Sequence, residues 1–435
     1  MSSSNKLRVL VISKEAWRDE QNGGNVLSNI FASLNAEFAQ IYCTDTLPNN
    51  SLCRSYFQIT DRMMLDSLLG KGRAGKRIDF TEFPHSPITV EGFSGAKGRS
   101  LETIRVAREL LWAMGKYNRE AIFEFIDDFS PNIVFAPCYG NHYMVSLIKL
   151  ISKRISVPIV SYISDDFYTN RQLRFSPVYW INHFILRRHV REAFSLYDLV
   201  YTMTDEQKEQ CEHDFGANMK ILRKSGSFDC GREKRTVHQP VRIIYAGGIY
   251  LNRWKTLAHL AEAIKAVNTS DVRFVLDIYT STVITDEMRK KLEIPGVSSC
   301  HAAISLAELK RKYAESDIAL HVEGFDLVNR FKVRMSFSTK IVDCLDSGCA
   351  VMAICDKRQA GYSYLKKNDA AICIDNPRDI QAALEAIVAN PDLLIEYQAK
   401  AFDLGRRNHI QARFSREIEH DFTSLAFCAN RKGRK

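Results

Sequence analysis

The sequence predicts an α/β protein in which two doubly wound domains, each a parallel sheet wrapped by helices, face a central cleft. Three observations predict it. Strand-like and helix-like runs alternate along almost the whole chain. The length of 435 residues is long for one core and suits two of roughly 200 residues each. A stretch dense in charge and chain breakers, Asp229-Cys230-Gly231-Arg232-Glu233-Lys234-Arg235-Thr236-Val237-His238-Gln239-Pro240, divides the alternation into halves and reads as an interdomain linker.

Leu7-Arg8-Val9-Leu10-Val11-Ile12 is a buried strand, residues 25–34 carry helical apolar spacing, and residues 38–43 form a second strand. Residues from about 65 to 98 are basic, contain glycine and lack a clear period, which predicts a long excursion or loop. A long amphipathic helix over about 100–127 follows, then strand 132–136, helix 144–153, strand 158–163, helix 180–193, short strand 199–201 and a helix starting at 205. Beyond the linker come strand 241–245, helix 256–267, strand 274–279, helices near 286–292 and 306–315, strand 318–322, helix 339–346 and strand 350–354. Helices at about 379–390, 393–408 and 414–427 close the chain. The expected organisation is an N-terminal domain over 1–235, a C-terminal domain over 236–405, and a final helix and basic tail over 406–435 that pack back toward the N-terminal domain. Open α/β sheets bind ligands outside the carboxyl ends of their strands, so candidate residues are sought there.

Hydrophobic residues at 46% and charged residues at 26% are ordinary globular values. No stretch approaches the ~20 apolar residues of a membrane span, and Met1-Ser2-Ser3-Ser4-Asn5 leads directly into a strand rather than a signal peptide. A cytoplasmic protein is expected. Eleven cysteines lack any Cys-x-x-Cys pairing or matching histidine cluster, which predicts free thiols rather than a disulfide framework or structural zinc. The net charge of +9 points to anionic partners. Basic clusters at Lys71–Arg77, Arg187-Arg188 and Arg431–Lys435 accompany no recognition-helix, zinc-finger or aromatic RNA-binding signature, so nucleic acid is not expected. Peripheral contact with an anionic membrane, at the inner face of the cell membrane, stays open.

Two stretches carry chemistry. In Tyr245-Ala246-Gly247-Gly248-Ile249-Tyr250-Leu251-Asn252-Arg253-Trp254-Lys255 a buried strand meets a helix through a glycine turn with two cations. An anion there would meet backbone N–H groups, a helix N-terminus and the side chains of Arg253 and Lys255. The alternative is an ordinary strand–turn–helix corner with solvated cations. In the second stretch, His321-Val322-Glu323-Gly324-Phe325, a strand ends in an acid beside a glycine. After it, Ser338 or Thr339 can cap a helix that places Lys340, Asp343 and Ser347 on one face and Ile341 and Leu345 on the other. A carboxylate such as Asp343 can accept both hydroxyls of a ribose; alternatively it is a surface acid paired with Lys340.

Together these residues resemble the C-terminal domain of retaining, nucleotide-sugar-dependent glycosyltransferases of the GT-B fold, the group-one or family-four type found in bacterial polysaccharide assembly. The resemblance runs through nearly the whole chain and is strongest over 244–255 and 338–353. It implies two Rossmann-like domains, the N-terminal one holding the acceptor and the C-terminal one the nucleotide-sugar. It also implies that Gly247, Gly248, Arg253 and Lys255 bind the donor diphosphate, that Glu323, Gly324 and Phe325 lie by the donor sugar, and that Lys340 and Asp343 complete the donor site, Asp343 at the ribose. The counterpart glycine loop after the first strand is Asn22-Gly23-Gly24-Asn25, with Gly24 near the donor phosphates and Asn25 toward the acceptor. The strand ends at Asn141-His142 and Asp165 supply further acceptor contacts, and Asp166 is a capping residue for the next segment. No cofactor and no metal is implied, since the adjacent pair Asp165-Asp166 points opposite ways along a strand. The acceptor is a glycan, lipid-linked or soluble.

One departure from the family pattern matters. The usual second acid, eight positions after Glu323, is replaced by Phe331, and an insertion over 326–337 restores the match at Asp343. That insertion, with Asn329, Arg330, Lys332 and Arg334, either lies over the donor or is a surface loop. The rival readings are a nucleotide-sugar epimerase of the same fold, a non-catalytic partner subunit, and a dinucleotide oxidoreductase. The last is disfavoured because no Gly-x-Gly-x-x-Gly follows the strands at Leu7 or Val241.

Overall fold

A computed structural model describes residues 6–19, 22–78, 98–228 and 236–432 of the chain. The first sheet contains β1 (Leu7–Ser13), β2 (Ala36–Tyr42), β3 (Ser55–Gln58), β4 (Lys76–Ile78), β5 (Ile133–Phe135), β6 (Ile159–Ile163), β7 (Leu199–Thr202) and β8 (Met219–Ile221). Its order is β4-β3-β2-β1-β5-β6-β7-β8, parallel throughout except for the β3–β4 pair. The second contains β9 (Val241–Ala246), β10 (Phe274–Thr280), β11 (Ser298–Ala302), β12 (Ile318–Val322), β13 (Ala350–Ile354) and β14 (Ile372–Ile374), in the parallel order β11-β10-β9-β12-β13-β14. The central strands β12 and β13 are buried along their whole length, as strands covered by helices on both faces must be. In each sheet the strand order reverses beside the first strand, at β1/β5 and at β9/β12. That reversal opens a crevice at the carboxyl ends. The architecture is therefore the GT-B arrangement of two Rossmann-like units.

Several elements differ from the sequence expectation. The helix expected over 100–127 is two, Gly98–Met114 and Arg119–Phe129. They break where Gly115 packs on Met64 and where Lys116 and Asn118 bond the backbone of Ala74, while the Asn118 side chain caps the second helix. The segment expected as a long loop over about 65–98 begins inside a helix, Asp61–Leu68, capped by Thr60, and contains the antiparallel strand β4; residues 79–97 of it lie outside the described residues. Most of the expected linker, 229–235, also lies outside them.

The described chain shows how the two units are fastened. Asp346 at the end of helix Lys340–Asp346 accepts hydrogen bonds from the backbone N–H groups of Ser227 (3.1 Å) and Phe228 (2.8 Å). Helix Gln411–Lys432 returns to the first sheet, where Phe422 is fully buried 6.2 Å from Phe31 and 6.4 Å from Phe135. On the same helix Asp421 accepts from Tyr201 (2.8 Å) and pairs with Lys220 (2.5 Å). At the junction sits His409, fully buried, with Nε2 2.9 Å from the Tyr364 hydroxyl and Nδ1 2.9 Å from the Lys224 carbonyl. The nine cysteines whose side chains are described are free thiols. Among the described residues no helix is long and apolar enough to cross a membrane.

Burial lowers the His409 pKa to about 4, and burial lowers that of His321, on β12, to about 4 as well. Their unfolded values near 6.5 mean that the unfolded chain takes up protons first as the pH falls. Both groups therefore contribute stability above pH ~6.5 that is lost on descent toward pH ~4. Thermal unfolding should show the midpoint falling across that window, with a shallower fall in His409→Gln; an unchanged slope in the variant would remove His409 from the account.

Candidate active site

The crevice at the carboxyl ends of β9 and β12 is built around a glycine turn. Gly247 has φ 145°, and a Cβ there would lie 2.1 Å from Lys340 Nζ. Only glycine lets the lysine cross the turn at this distance. Leu251 and Asn252 are both left-handed (φ 56° and 59°), which turns the chain tightly into helix Arg253–Val267. The helix thus begins three residues before the expected position. Its first amides are engaged locally: Arg253, Trp254 and Lys255 donate to the carbonyls of Tyr250, Ile249 and Asn252. These N–H groups are therefore not directed at a ligand, and cationic side chains carry the positive field of the turn.

The early start also separates the two cations of the motif. Positions two apart on a helix point roughly 200° apart. Arg253 turns inward and is 8% exposed; Lys255 is exposed, with its ammonium 5.5 Å from the Trp254 ring, and does not line the crevice. This corrects the placement of Lys255 among the diphosphate contacts. The second cation beside Arg253 is Lys340, whose Nζ lies 3.2 Å from the Tyr245 hydroxyl.

Arg253 and Glu323 form a buried fork. Nε donates to Oε2 at 2.9 Å and Nη2 to Oε1 at 2.7 Å, while the Glu323 carbonyl accepts from Thr256 Oγ1 at 2.7 Å. Gly324 follows where a Cβ would lie 2.3 Å from the Leu251 carbonyl, so the strand end and the turn touch backbone to backbone. Burial lowers the Lys340 pKa to about 8, with Arg253 adding repulsion and Glu323 opposing. His321, held neutral by burial, lies beside them.

These side chains line a cavity of ≈ 620 Å³ between the two units, within the range of ordinary ligand sites. Tyr250, Arg253, His321, Glu323, Lys340, Gln359 and Gly361 form its C-terminal wall; Val26, Asn29, Ile30, Tyr162, Asp165, Met203, Arg223 and Lys224 form the opposite one. Phe414 and Ile418 of the returning helix close one side. The 326–337 insertion is neither a surface loop nor remote. It forms helix Leu327–Lys332 and then reaches across the crevice: Arg334 pairs with Asp166 (3.2 Å), Ser336 donates to Asp165 (3.1 Å), and Thr204 donates to the Met335 carbonyl (3.0 Å).

Other expected residues fall elsewhere. Asn141 and His142 do not line the cavity. They open helix His142–Ser152, where Glu109 accepts from the Asn141 amide and the His142 N–H, and His142 Nε2 lies 3.0 Å from Asn182 Oδ1. Phe325 points to a second, shallower cavity at the ends of β12–β14 with Arg330, Asp356 and Asp375. Asp343 stands at the edge of the crevice in an ion pair with Lys224 (2.5 Å) across the two units, so its carboxylate is occupied in this conformation. Gly24 and Asn25 belong to helix Asn22–Phe31, not to a loop; their side-chain surroundings lie outside what is described, although Val26, Asn29 and Ile30 of the same helix face the cavity. Asp166 bonds the N–H and hydroxyl of Thr169 as a cap in addition to its pair with Arg334. Among the described residues no group of three His, Cys, Asp or Glu side chains is placed to hold a metal ion.

Gln359 was not singled out by the sequence. It is 3% exposed, lines the cavity, and neither its amide nitrogen nor its amide oxygen has a partner among the described residues. A buried amide normally finds partners, so this one is available to a ligand. Arg223 and Lys224 were missed as well, and nothing in the short run after β8 marks them.

No protein-family model matches the chain, and no curated protein matches it. Solved structures do. Sucrose-phosphate synthase from Thermosynechococcus elongatus superposes with a TM-score of 0.60 at 9% identity over 98% of this chain and 100% of that one. An α,α-trehalose-phosphate synthase (UDP-forming) from Burkholderia xenovorans in complex with glucose-6-phosphate gives 0.58 at 10% identity, over 96% and 100%. A trehalose-6-phosphate structure from E. coli bound with UDP-2-fluoro glucose gives 0.57 at 11%, over 95% and 98%. At such identities the likeness establishes the fold.

A bound diphosphate would favour charged Lys340. Binding of a nucleoside diphosphate, already fully ionised, measured by calorimetry near pH 8 should therefore take up protons, seen as a buffer-dependent enthalpy, and weaken as the pH rises past 8. Lys340→Arg, charged throughout, should abolish the uptake; an enthalpy independent of buffer in the wild type contradicts the assignment.

Proposed function

We propose that this chain is a retaining glycosyltransferase that moves a sugar from a nucleoside-diphosphate sugar to an acceptor hydroxyl, in cytoplasmic polysaccharide or glycoconjugate assembly. The observation that carries the reading is the set Arg253, Glu323 and Lys340 at the switch point of the C-terminal sheet, facing Asp165 from the N-terminal sheet across one cavity. The GT-B architecture and the UDP-forming activity named for the Burkholderia xenovorans neighbour support it. UDP-sugars are accordingly the first donors to try.

In this reading the diphosphate lies over Gly247-Gly248, between Lys340 and the Arg253 guanidinium. The acceptor oxygen bonds to the anomeric carbon on the face from which the bond to the diphosphate oxygen breaks, and the acceptor's proton passes to that departing oxygen. Charge builds on the leaving group, so cations fixed beforehand in a dry crevice stabilise the transition state more than the ground state. Glu323 holds Arg253 in place and offers its carboxylate edge to the sugar. Gln359 reads a buried hydroxyl of the ligand, Asp165 orients the acceptor, and Asp343 takes the ribose once Lys224 releases it. With two cations at the diphosphate, the reaction as drawn calls for no metal ion and no cofactor.

Arg253→Ala strips a buried carboxylate of its partner, a change that costs about 3–5 kcal/mol in stability, so it confounds folding with chemistry. Lys340→Met is the cleaner variant. In an assay that screens nucleotide-sugars for slow hydrolysis and for transfer to glycan acceptors, Lys340→Met should lower turnover by roughly 100-fold or more, whereas Lys255→Ala should stay near the wild type. The reverse ranking would overturn the site. Product analysis with donor alone separates transfer from epimerisation: an epimerised donor would overturn the proposal. Gln359→Ala should raise KM for the preferred sugar more than for its epimers, and an equal change for all would remove its role in selectivity.

A further inference from the structure

Helix Pro177–Phe194 is apolar on two faces. Its inner face, with Leu186, Val190, Ala193 and Phe194, is buried in the core of the N-terminal unit. Its outer face presents Val178, Ile181, Phe184 and Ile185 to solvent, Ile181 and Phe184 being 64% and 57% exposed, and Phe175 just before the helix is 90% exposed. A helix hydrophobic on both sides requires a second apolar environment. The charge around this face is predominantly basic, with Arg187 paired to Asp214 and Arg188 to Glu192. Residues 167–191 contain five arginines and not one aspartate or glutamate. Arg171, Arg174, Arg188 and Arg191 are exposed, and Glu192 just beyond is shared by Lys149 and Arg188.

We propose that this face docks the protein on an anionic lipid bilayer. Phe175, Val178, Ile181 and Phe184 enter the headgroup–acyl boundary, and the arginines meet lipid phosphates, as interfacial helices with an apolar face and basic flanks do. A protein partner or a second copy could cover an apolar face, but the net arginine surplus, with Arg171 and Arg174 exposed beside Phe175, favours a uniformly anionic surface. The docking helix is tied to the crevice by one loop. Arg187 donates to the Tyr168 carbonyl (2.8 Å) and Gln172 to the Asp166 carbonyl (2.7 Å), one residue after Asp165 in the cavity wall. An acceptor carried on a lipid would thus reach the N-terminal wall from the bound surface; that last step rests on the transferase reading, whereas docking does not.

The test is flotation of the full chain with phosphatidylcholine vesicles containing or lacking about one third phosphatidylglycerol, with no donor or acceptor present. The expected result is binding to the anionic vesicles only, weakened by salt. Ile181→Asp combined with Phe184→Ser should abolish it, and Arg171→Gln, Arg174→Gln and Arg188→Gln should each weaken it roughly fivefold. These exposed side chains lie outside the crevice, so hydrolysis of a nucleotide-sugar should be unchanged in every variant. Three outcomes overturn the proposal: no flotation of the wild type, flotation that survives the apolar double variant, or a concentration-dependent dimer by light scattering that the double variant dissolves while vesicles bind nothing.

Discussion

The structure of the crevice depends on one buried interaction, the fork between Arg253 and Glu323. It joins the first turn of the helix after β9 to the carboxyl end of β12, the two strands that flank the switch point of the C-terminal sheet. Two charges removed from water in this way are costly unless their geometry is good and their other groups are bonded. Here both nitrogen–oxygen contacts are short, and the neighbouring backbone is fixed by Thr256 and by the close approach of Gly324 to Leu251. The pair balances its own charge, so the uncompensated cation on the C-terminal wall of the pocket is Lys340. That lysine crosses the turn where Gly247 leaves room for it.

The fork also explains why the insertion matters. Residues 326–337 leave β12 directly after Glu323-Gly324-Phe325, with Asp326 capping the short helix and bonding Asn252 of the glycine turn (2.8 Å). From this anchored base the chain crosses to Asp165, Asp166 and Thr204. One continuous path of strand, acid, helix and strut therefore runs from the cations to the opposite wall. Together with the Lys224–Asp343 pair and the buried His409, it sets the separation of the two units in this conformation.

Much of this was legible in the sequence, for physical reasons. Strands such as β1, β9, β12 and β13 are central, buried on both faces, and read as continuous apolar runs. The strands that escaped, β3, β4, β8, β11 and β14, lie at or next to sheet edges and are three to five residues long, and all but β14 carry an exposed polar position. They pair because a neighbour offers a ladder, which composition does not reveal. In the site, Arg253 and Glu323 were visible as charged residues at strand ends, and Lys340 as the first residue of a helix. Lys255 was misplaced because the helix start was read three residues late; a left-handed pair at Leu251-Asn252 is what moved it, and neither residue signals that conformation strongly. Asn141 and His142 stand at a strand end as expected, but the helix over 98–114 supplies Glu109 to occupy them. Gln359 had no sequence signal, since its meaning lies in the absence of a partner.

The central claim is that the pocket between the two sheets receives a diphosphate at the glycine turn. Hydrogen exchange of the full chain with and without a nucleoside diphosphate measures this most directly, because it locates the ligand without presuming an acceptor or a sugar. The account predicts protection concentrated in peptides covering 245–256, 321–325 and 338–341, with the strut over 333–337 slowing as well. Protection confined to the second cavity around Asp356 and Asp375, or none at saturating nucleotide, would contradict it.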